Sequence, residues 1–440
     1  MRGVEQIEQR QDPARAHRRR PDTLTGSLVI LAVAILPFDG LRIILPLPEL
    51  FDLTRHVLLL AIVASSVFGG AELRRQAPRG LMPPMIVAAS ALAALGALWF
   101  VLEPSRAAAV GFVAGYLPVL VAPAVWWCPP SRRQIDRLIT VLMTVVLMTT
   151  AVGLLQQVVG PERLHSLGYE WNEHLRWSGG IFRTISTFNQ PFPFAFFLAT
   201  GLLVCVPVAL AERSRRRSFV FLVSSPFVVA ALLSTVVRAS FLMVAAGFLV
   251  LIFLLREHRP ALVVIPALVV AALVLASSPA FNSIDSGSTR LETWSETVPD
   301  ALGSPWGSGL TEAGVAGQSE YLETVGSALG GIFDFSQGPR LERVQPDNQF
   351  VVTGATVGLL GVFAAVVALV ATFTHGRRLA ERDEANEVTV GLARGIAALV
   401  AGVAVAAMAS TYFEIFPGSI LLWLFVGLLP CLTSPSTPSR

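Results

Sequence analysis

The feature that most constrains this chain is the alternation of long apolar stretches with short connectors, in which arginines collect in every second connector. A run of about 17 to 25 apolar residues is long enough to cross a bilayer as a helix. Twelve such stretches lie near residues 24–37, 52–69, 80–101, 107–127, 136–159, 190–210, 218–235, 239–255, 261–277, 348–373, 388–411 and 415–432. The sequence therefore predicts an all-α, polytopic integral membrane protein with about twelve transmembrane helices.

The composition supports this fold class. Hydrophobic residues make up 53% of the 440 residues and charged residues 14%, whereas soluble domains carry about 25% charged residues. A chain this apolar needs lipid around it. Its three cysteines are far apart and have no metal-binding spacing, and His165 and His174 lack a supporting ligand set. We therefore expect neither a metal site nor a cofactor.

The arginines predict the orientation of the chain, because arginine favours cytoplasmic connectors. All 33 basic residues are arginine. Besides the segment before residue 23, the arginine-bearing connectors contain Arg74, Arg75, Arg79, Arg132, Arg133, Arg137, Arg213, Arg215, Arg216, Arg217, Arg256, Arg259, Arg377, Arg378 and Arg382. They all fall on one side of the membrane if both termini are cytoplasmic.

This orientation divides the chain into five parts. Residues 1–22 and 434–440 are predicted cytoplasmic tails, and residues 23–277 hold the first nine helices. Residues 278–347 form one large extracytoplasmic loop between helices nine and ten, and residues 348–433 hold the last three helices. The outer face has no ATP and no nucleotide sugars, so a substrate for chemistry in this loop must arrive attached to a carrier.

Two arginines at outer helix ends are candidates for anion binding. Arg238 lies in a tight outer turn between two apolar helices, where an arginine at membrane depth costs about 2.5 to 3.5 kcal/mol unless it has a partner. Arg183 precedes a helix for which Asn189 is the predicted N-cap, and both arginine and helix N-termini bind phosphate. Alternatively, the Arg238 side chain extends to the outer lipid headgroups. The alternative for Arg183 is an ordinary loop residue with no role in binding.

Further candidates lie in the two long outer segments. Asp347, where the long loop returns to the bilayer, is either a general base for a sugar hydroxyl or a helix cap. Arg290, at the other end of that loop, is either a phosphate ligand or a surface charge. Arg176, in the outer segment 160–189, Asn189 and Asn348 are expected to bind substrate.

An ordered set of motifs resembles the O-antigen ligase and O-antigen polymerase superfamily over roughly residues 150–375. The matching positions are Phe182-Arg183, Asn189-Gln190-Pro191, Arg238-Ala239-Ser240, Arg290 with Trp294, Pro305-Trp306-Gly307-Ser308-Gly309, Asp347-Asn348-Gln349-Phe350 and Gly358-Leu359-Leu360-Gly361. The twelve predicted helices and the large late outer loop match the same superfamily.

This resemblance implies a function. Members transfer or polymerise glycans from undecaprenyl-diphosphate carriers on the outer face of the bacterial inner membrane. Arg183 and Arg238 then look like the arginines that grip the diphosphate. Ligases usually carry a histidine beside the asparagine where this chain has Asp347, which favours a polymerase. The expected partners are the lipid-linked donor, a glycan or lipid acceptor, the lipid bilayer and a chain-length regulator, with no nucleic acid.

Two other classes of function remain open. A twelve-helix transporter or lipid-linked glycan flippase should carry ionisable residues in the middle of its helices, and this chain has almost none. It also has no internal repeat of the kind from which many transporters are built. A non-catalytic assembly partner is the remaining alternative.

Overall fold

The computed structural model describes residues 22–44, 48–68, 81–254, 294–317, 346–382 and 386–433, apart from residues 173, 179, 213, 296, 300–302 and 316. The described chain is mainly helical. Its helices are α1 (Leu24–Ile35), α2 (Pro48–Phe68), α3 (Pro84–Leu102), α4 (Arg106–Gly111), α5 (Val121–Trp127), α6 (Arg132–Val159), α7 (Pro161–His165), α8 (Pro191–Ala211), α9 (Arg216–Ser234), α10 (Arg238–Leu254), α11 (Gln349–Ala380), α12 (Glu387–Ala406) and α13 (Gly418–Leu428).

Eight spans in the described chain are long and apolar enough to cross a membrane. They are Leu24–Leu41, Pro84–Leu102, Arg106–Trp127, Arg132–Val159, Pro191–Ala211, Arg216–Ser234, Gln349–Ala380 and Glu387–Ala406. Shorter apolar helices cover Thr54–Phe68, Arg238–Leu254 and Gly418–Leu432. This confirms a helical, multi-pass membrane protein. The predicted span 261–277 and most of the predicted loop 278–347 lie outside the described residues, so the count of twelve stays a prediction.

The helices run back and forth between two ends of one bundle. The starts of α1 and α6 lie together, because the Thr23 backbone N donates to Gln134 Oε1 over 3.0 Å. Helix α12 is antiparallel to α11, since Gln349 N donates to Ala407 O over 2.7 Å. It is also antiparallel to α8, because the early Gly391 lies against Val208, near the end of α8.

We name the two ends by their contents. The arginine-rich end contains the described members of the predicted cytoplasmic connectors, which are Arg132, Arg133, Arg137, Arg215, Arg216, Arg217, Arg377, Arg378 and Arg382. The hairpin end, opposite to it, contains β1 (Arg176–Ser178), β2 (Ile181–Arg183) and the starts of α8, α10 and α11. The antiparallel contacts thus collect these arginines at one end, as the charge pattern predicts.

Helix α8 lies at the centre of the packing, and 83% of its most apolar stretch is buried. Small residues allow α12 to approach it closely. A Cβ on Gly391 would lie 2.7 Å from Val208 Cα, and one on Gly395 would lie 2.9 Å from Val204 Cα. Close backbone approach at small residues is a common source of helix association in membranes. The contact fixes the end of α8 against the start of α12, at the arginine-rich end.

The structure differs from three sequence predictions about the helices. The predicted helix 107–127 is interrupted between α4 and α5 by a π-helical turn and a 3-10 turn; Pro118, at the start of the 3-10 turn, lacks the N–H that a continuous helix needs. The predicted helix 348–373 extends to Ala380 and is broken at Gly358, which has φ 77°. The third difference is the β-hairpin, a small exception to the all-α expectation.

Candidate functional site

The β-hairpin places two arginines side by side. Strands β1 and β2 are antiparallel, and Arg176 is the direct partner of Arg183 across the ladder. The turn between the strands contains Gly180 with φ 80°, a conformation that glycine adopts without strain. Directly opposed residues in an antiparallel pair point to the same face of the sheet. The hairpin therefore presents two cationic side chains on one face.

Arg183 is held by two further elements at the hairpin end. Its Nε donates to Thr235 O over 2.9 Å, and its guanidinium carbon lies 5.0 Å from the centre of the Phe192 ring. Thr235 follows α9 and Phe192 belongs to the first turn of α8. Within the described part of the chain, Arg183 forms no ion pair with a carboxylate. The terminal nitrogens of its guanidinium group remain available for an anion.

Arg238, the first residue of α10, joins this pair directly after the turn between α9 and α10. The turn contains Val236 with φ 52°, a strained conformation for a β-branched residue. Such strain persists only where surrounding contacts enforce it, and it is concentrated at functional sites. Burial, together with the nearby charges of Arg176 and Arg238, lowers the pKa of Arg183 to about 10. The three half-buried arginines, here called the arginine cluster, therefore repel one another electrostatically.

The chain that follows Arg183 is fixed by side-chain amides of α6. The Gln156 side chain pairs with the backbone of Ser186, accepting from its N over 2.7 Å and donating to its O over 2.8 Å. Gln157 Nε2 donates to Phe182 O over 2.8 Å. Ser186 adopts a positive φ of 56°. These contacts hold Arg183 in place before any ligand binds, as anion recognition requires.

Asn189 does not have its predicted capping role. The N-cap of α8 is Gln190, which makes no side-chain capping hydrogen bond. The first turn instead contains Pro191 and Pro193, which lack the N–H groups that a cap would satisfy. Asn189 is half-buried beside the cluster-bearing end of α8, and its role in substrate binding stays a prediction.

Asp347 and Asn348 have separate roles at the start of α11. Asn348, not Asp347, is the N-cap, because its Oδ1 accepts from Phe350 N at 2.9 Å and Val351 N at 3.2 Å. Capping therefore occupies the Asn348 oxygen. Asp347 is exposed. No described hydrogen bond joins it to Arg183. The structure brings together Arg176, Arg183 and Arg238.

The motif at residues 305–309 is inserted into the break in α11. Ser308 N donates to Ala355 O over 2.8 Å and Leu360 N donates to Pro305 O over 3.3 Å. A Cβ on Gly358 would collide with Pro305 O. Non-helical backbone at membrane depth is tolerated only where protein satisfies its polar groups. The described part of the long loop is therefore an integral part of the hairpin end.

Glu414 is a candidate that the sequence reasoning missed. It lies in the 3-10 turn Tyr412–Glu414, and its Oε2 accepts from Val315 N over 3.2 Å. Gly314 packs so closely that a Cβ there would collide with the carboxylate. Burial raises the pKa of Glu414 to about 7. Glu414 forms no ion pair within the described chain, and a carboxylate with such a pKa suits proton transfer near neutral pH.

This connector also contacts the start of α11. Phe413 N donates to Gln349 Oε1 over 2.7 Å, and Gln349 is two residues from Asp347. The only signal for Glu414 in the sequence is a carboxylate in a short, arginine-poor outer connector, which is weak on its own. Glu414 therefore contacts loop residues 314–315, while the residue before it contacts the end of the loop at α11.

Arg290 lies outside the described residues, so its predicted role is untested. His165 Nδ1 contacts Tyr169 O at 2.8 Å, and His174 Nδ1 accepts from Glu170 N at 3.2 Å. Across the described ranges, no group of three His, Cys, Asp or Glu side chains is arranged to hold a metal ion.

No protein-family model matches this chain, and no curated protein matches it in sequence. Its function is therefore inferred from its own residues and their geometry.

Proposed function

We propose that this protein is a membrane glycosyltransferase of the bacterial plasma membrane, with both termini in the cytoplasm. It polymerises or transfers oligosaccharide from an undecaprenyl-diphosphate-linked donor on the outer face, and polymerisation is favoured over ligation. The observation that carries the proposal is the arginine cluster at the end of the bundle opposite the arginine-rich end. Three like charges held close together before binding favour a multiply charged anion, and a diphosphate fits this requirement.

The proposed reaction is a displacement at the anomeric carbon of the donor sugar. The acceptor hydroxyl oxygen forms the new glycosidic bond, and the bond between the anomeric carbon and the diphosphate oxygen breaks. Undecaprenyl diphosphate leaves with the bonding electrons. Arg183 and Arg238 stabilise the negative charge that develops on this leaving group, supported by Arg176 and by Arg290. Fixed cations aimed at developing charge contribute more in a site shielded from water than in bulk solvent.

The acceptor hydroxyl must lose its proton, which requires a base. Asp347 is the base favoured by the resemblance and by its place where the long loop ends. Glu414 is a second candidate, because a pKa of about 7 suits proton abstraction at neutral pH.

The alternative is a transporter or lipid-linked glycan flippase. It shares the need for a diphosphate site but forms no glycosidic bond. The described charged groups favour transfer over transport, because the arginine cluster lies at one end rather than midway along the helices.

Removal of the gene tests the proposed class of function. Cells that lack a polymerase should accumulate short lipid-linked glycan and lose chain length. Loss of a ligase should leave intact polymer that is not attached to its acceptor. A flippase defect should trap the lipid-linked glycan on the cytoplasmic face. Unchanged glycan in amount, length and attachment would contradict all three.

A further inference from the structure

A groove at the arginine-rich end has the composition of a lipid site. It lies between α6 and α9 and has a volume of about 280 Å³. Its polar lining consists of Arg216, Arg217 and threonine hydroxyls of α6, and its apolar lining of Met143, Leu147 and Val220. It is far from the arginine cluster, since α6 and α9 both run from this end to the hairpin end.

Among the described residues that line or contact the groove, one arginine has no carboxylate partner. Asp136 Oδ1 pairs with Arg217 at 2.7 Å and with Arg215 at 2.5 Å. The buried Glu212 pairs with the same two arginines, at 2.7 and 3.0 Å. The charges of these two carboxylates and two arginines therefore cancel. Arg216 also lines the groove, is exposed, and forms no ion pair with any described residue.

The groove changes from polar to apolar along the helices. Arg217 donates to Thr140 Oγ1 over 2.6 Å at the polar end, and Met143 and Leu147 follow one and two turns further along α6. Helix α6 has 28 residues, which at 1.5 Å per residue is about 42 Å. The hydrocarbon core is about 30 Å thick, so this helix extends past the core. Its polar end then lies at headgroup depth, with the apolar lining facing acyl chains.

We propose that this groove binds an anionic phospholipid, with the headgroup phosphate on Arg216 and one acyl chain along Met143, Leu147 and Val220. Arginine matches phosphate in geometry and is weakly hydrated. Basic pockets between membrane helices on the cytoplasmic side are established sites for acidic headgroups. The proposal is independent of the proposed glycan chemistry, because none of its residues belongs to the hairpin end.

The test compares thermal unfolding of the full-length protein in nanodiscs of phosphatidylcholine alone and of phosphatidylcholine with phosphatidylglycerol. Phosphatidylglycerol should raise the Tm of the wild type. It should raise the Tm of Arg216→Ala much less, and that of Arg216→Lys by an intermediate amount. Val220→Phe, which fills the groove without changing charge, should also respond weakly. The control Arg378→Ala removes an exposed arginine at the same end, away from the groove, and should respond like the wild type.

Each other outcome counts against the proposal. An equal rise in Tm for Arg216→Ala and the wild type would show that Arg216 is not the headgroup contact. If Arg378→Ala lost as much of the rise in Tm as Arg216→Ala, the lipid effect would come from general surface charge rather than from the groove. A rise in Tm for Val220→Phe equal to that of the wild type would show that no acyl chain binds in the groove. The same rise with inorganic phosphate in phosphatidylcholine nanodiscs would identify a free anion as the ligand.

Discussion

Arg176 and Arg183 face each other across the β-hairpin, and no carboxylate among the described residues forms an ion pair with Arg183. Like charges directly opposite each other destabilise an antiparallel pair. The hairpin is nevertheless fixed by the Gln156 and Gln157 side chains. The charges of Arg176 and Arg238 act on Arg183 and lower its pKa, and a multiply charged anion bound there would offset this repulsion.

This relationship predicts binding of inorganic diphosphate. Diphosphate should raise the Tm of the purified protein, and the rise should weaken at high salt. Charge-assisted hydrogen bonds contribute about 1.5 to 3 kcal/mol each, so Arg183→Ala should bind diphosphate about tenfold to a hundredfold more weakly, as measured by calorimetry. The control Arg163→Ala, an exposed arginine of α7, should bind normally. Equal affinity for diphosphate in Arg183→Ala and Arg163→Ala would show that the cluster is not the site.

Asp347→Asn separates catalysis from helix capping, because Asn348 is the cap. If Asp347 is the base, this substitution should leave the Tm unchanged and reduce glycan transfer by about a hundredfold to ten-thousandfold. Asn348→Ala should instead lower stability by about 1 kcal/mol. Glu414→Gln provides the comparison. An active Asp347→Asn together with an inactive, folded Glu414→Gln would transfer the role of base to Glu414.

Glu414 predicts a specific dependence of stability on pH. Its pKa in the folded protein is raised from 4.5 to about 7, so between these values the folded state binds more protons than the unfolded state. Stability therefore falls as pH rises through this window. Glu414→Gln should remove this component, because the amide stays neutral. Unfolding temperatures measured from pH 4.5 to 7.5 test this, and identical slopes for wild type and variant would show that Glu414 does not titrate in this window.

Gly358→Ala should detach the 305–309 motif from α11. Alanine at a φ of 77° and a ψ of −178°, a region essentially restricted to glycine, costs about 1 to 3 kcal/mol, and its Cβ would collide with Pro305 O. We expect a lower Tm and faster proteolysis near residue 306. Gly303→Ala is the matched control, since nothing lies within 4 Å of a Cβ there. If both variants are cleaved at the wild-type rate, the motif does not depend on the helix break.

The sequence predicts most of the bundle, because apolar length and arginine placement are local properties that do not depend on tertiary contacts. The same patterns single out Arg183 and Arg238, since charges at the ends of apolar stretches stand out. The pairing of Arg176 with Arg183 could not be predicted, because it depends on the register of a hairpin whose strands have only three residues each.

Two other features arise from contacts between distant segments. The segment around Gly358 resembles a continuous helix, and its break depends on the docking of residues 305–309. Glu414 resembles a solvated charge in a short connector. Its burial depends partly on the approach of Val315, which lies 99 residues earlier in the chain and donates to its carboxylate. Neither contact can be predicted from the spacing of residues in the sequence.

The most direct test of the proposed function uses purified protein in liposomes with an undecaprenyl-diphosphate-linked oligosaccharide as donor. The wild type should lengthen or transfer the glycan and release undecaprenyl diphosphate in proportion. Arg183→Ala and Arg238→Ala should insert and fold normally yet form almost no product, and the corresponding lysine variants should recover little, because an ammonium group lacks the bidentate fork. Arg163→Ala should match the wild type. Product of normal length and amount from both alanine variants would contradict the diphosphate role of the arginine cluster.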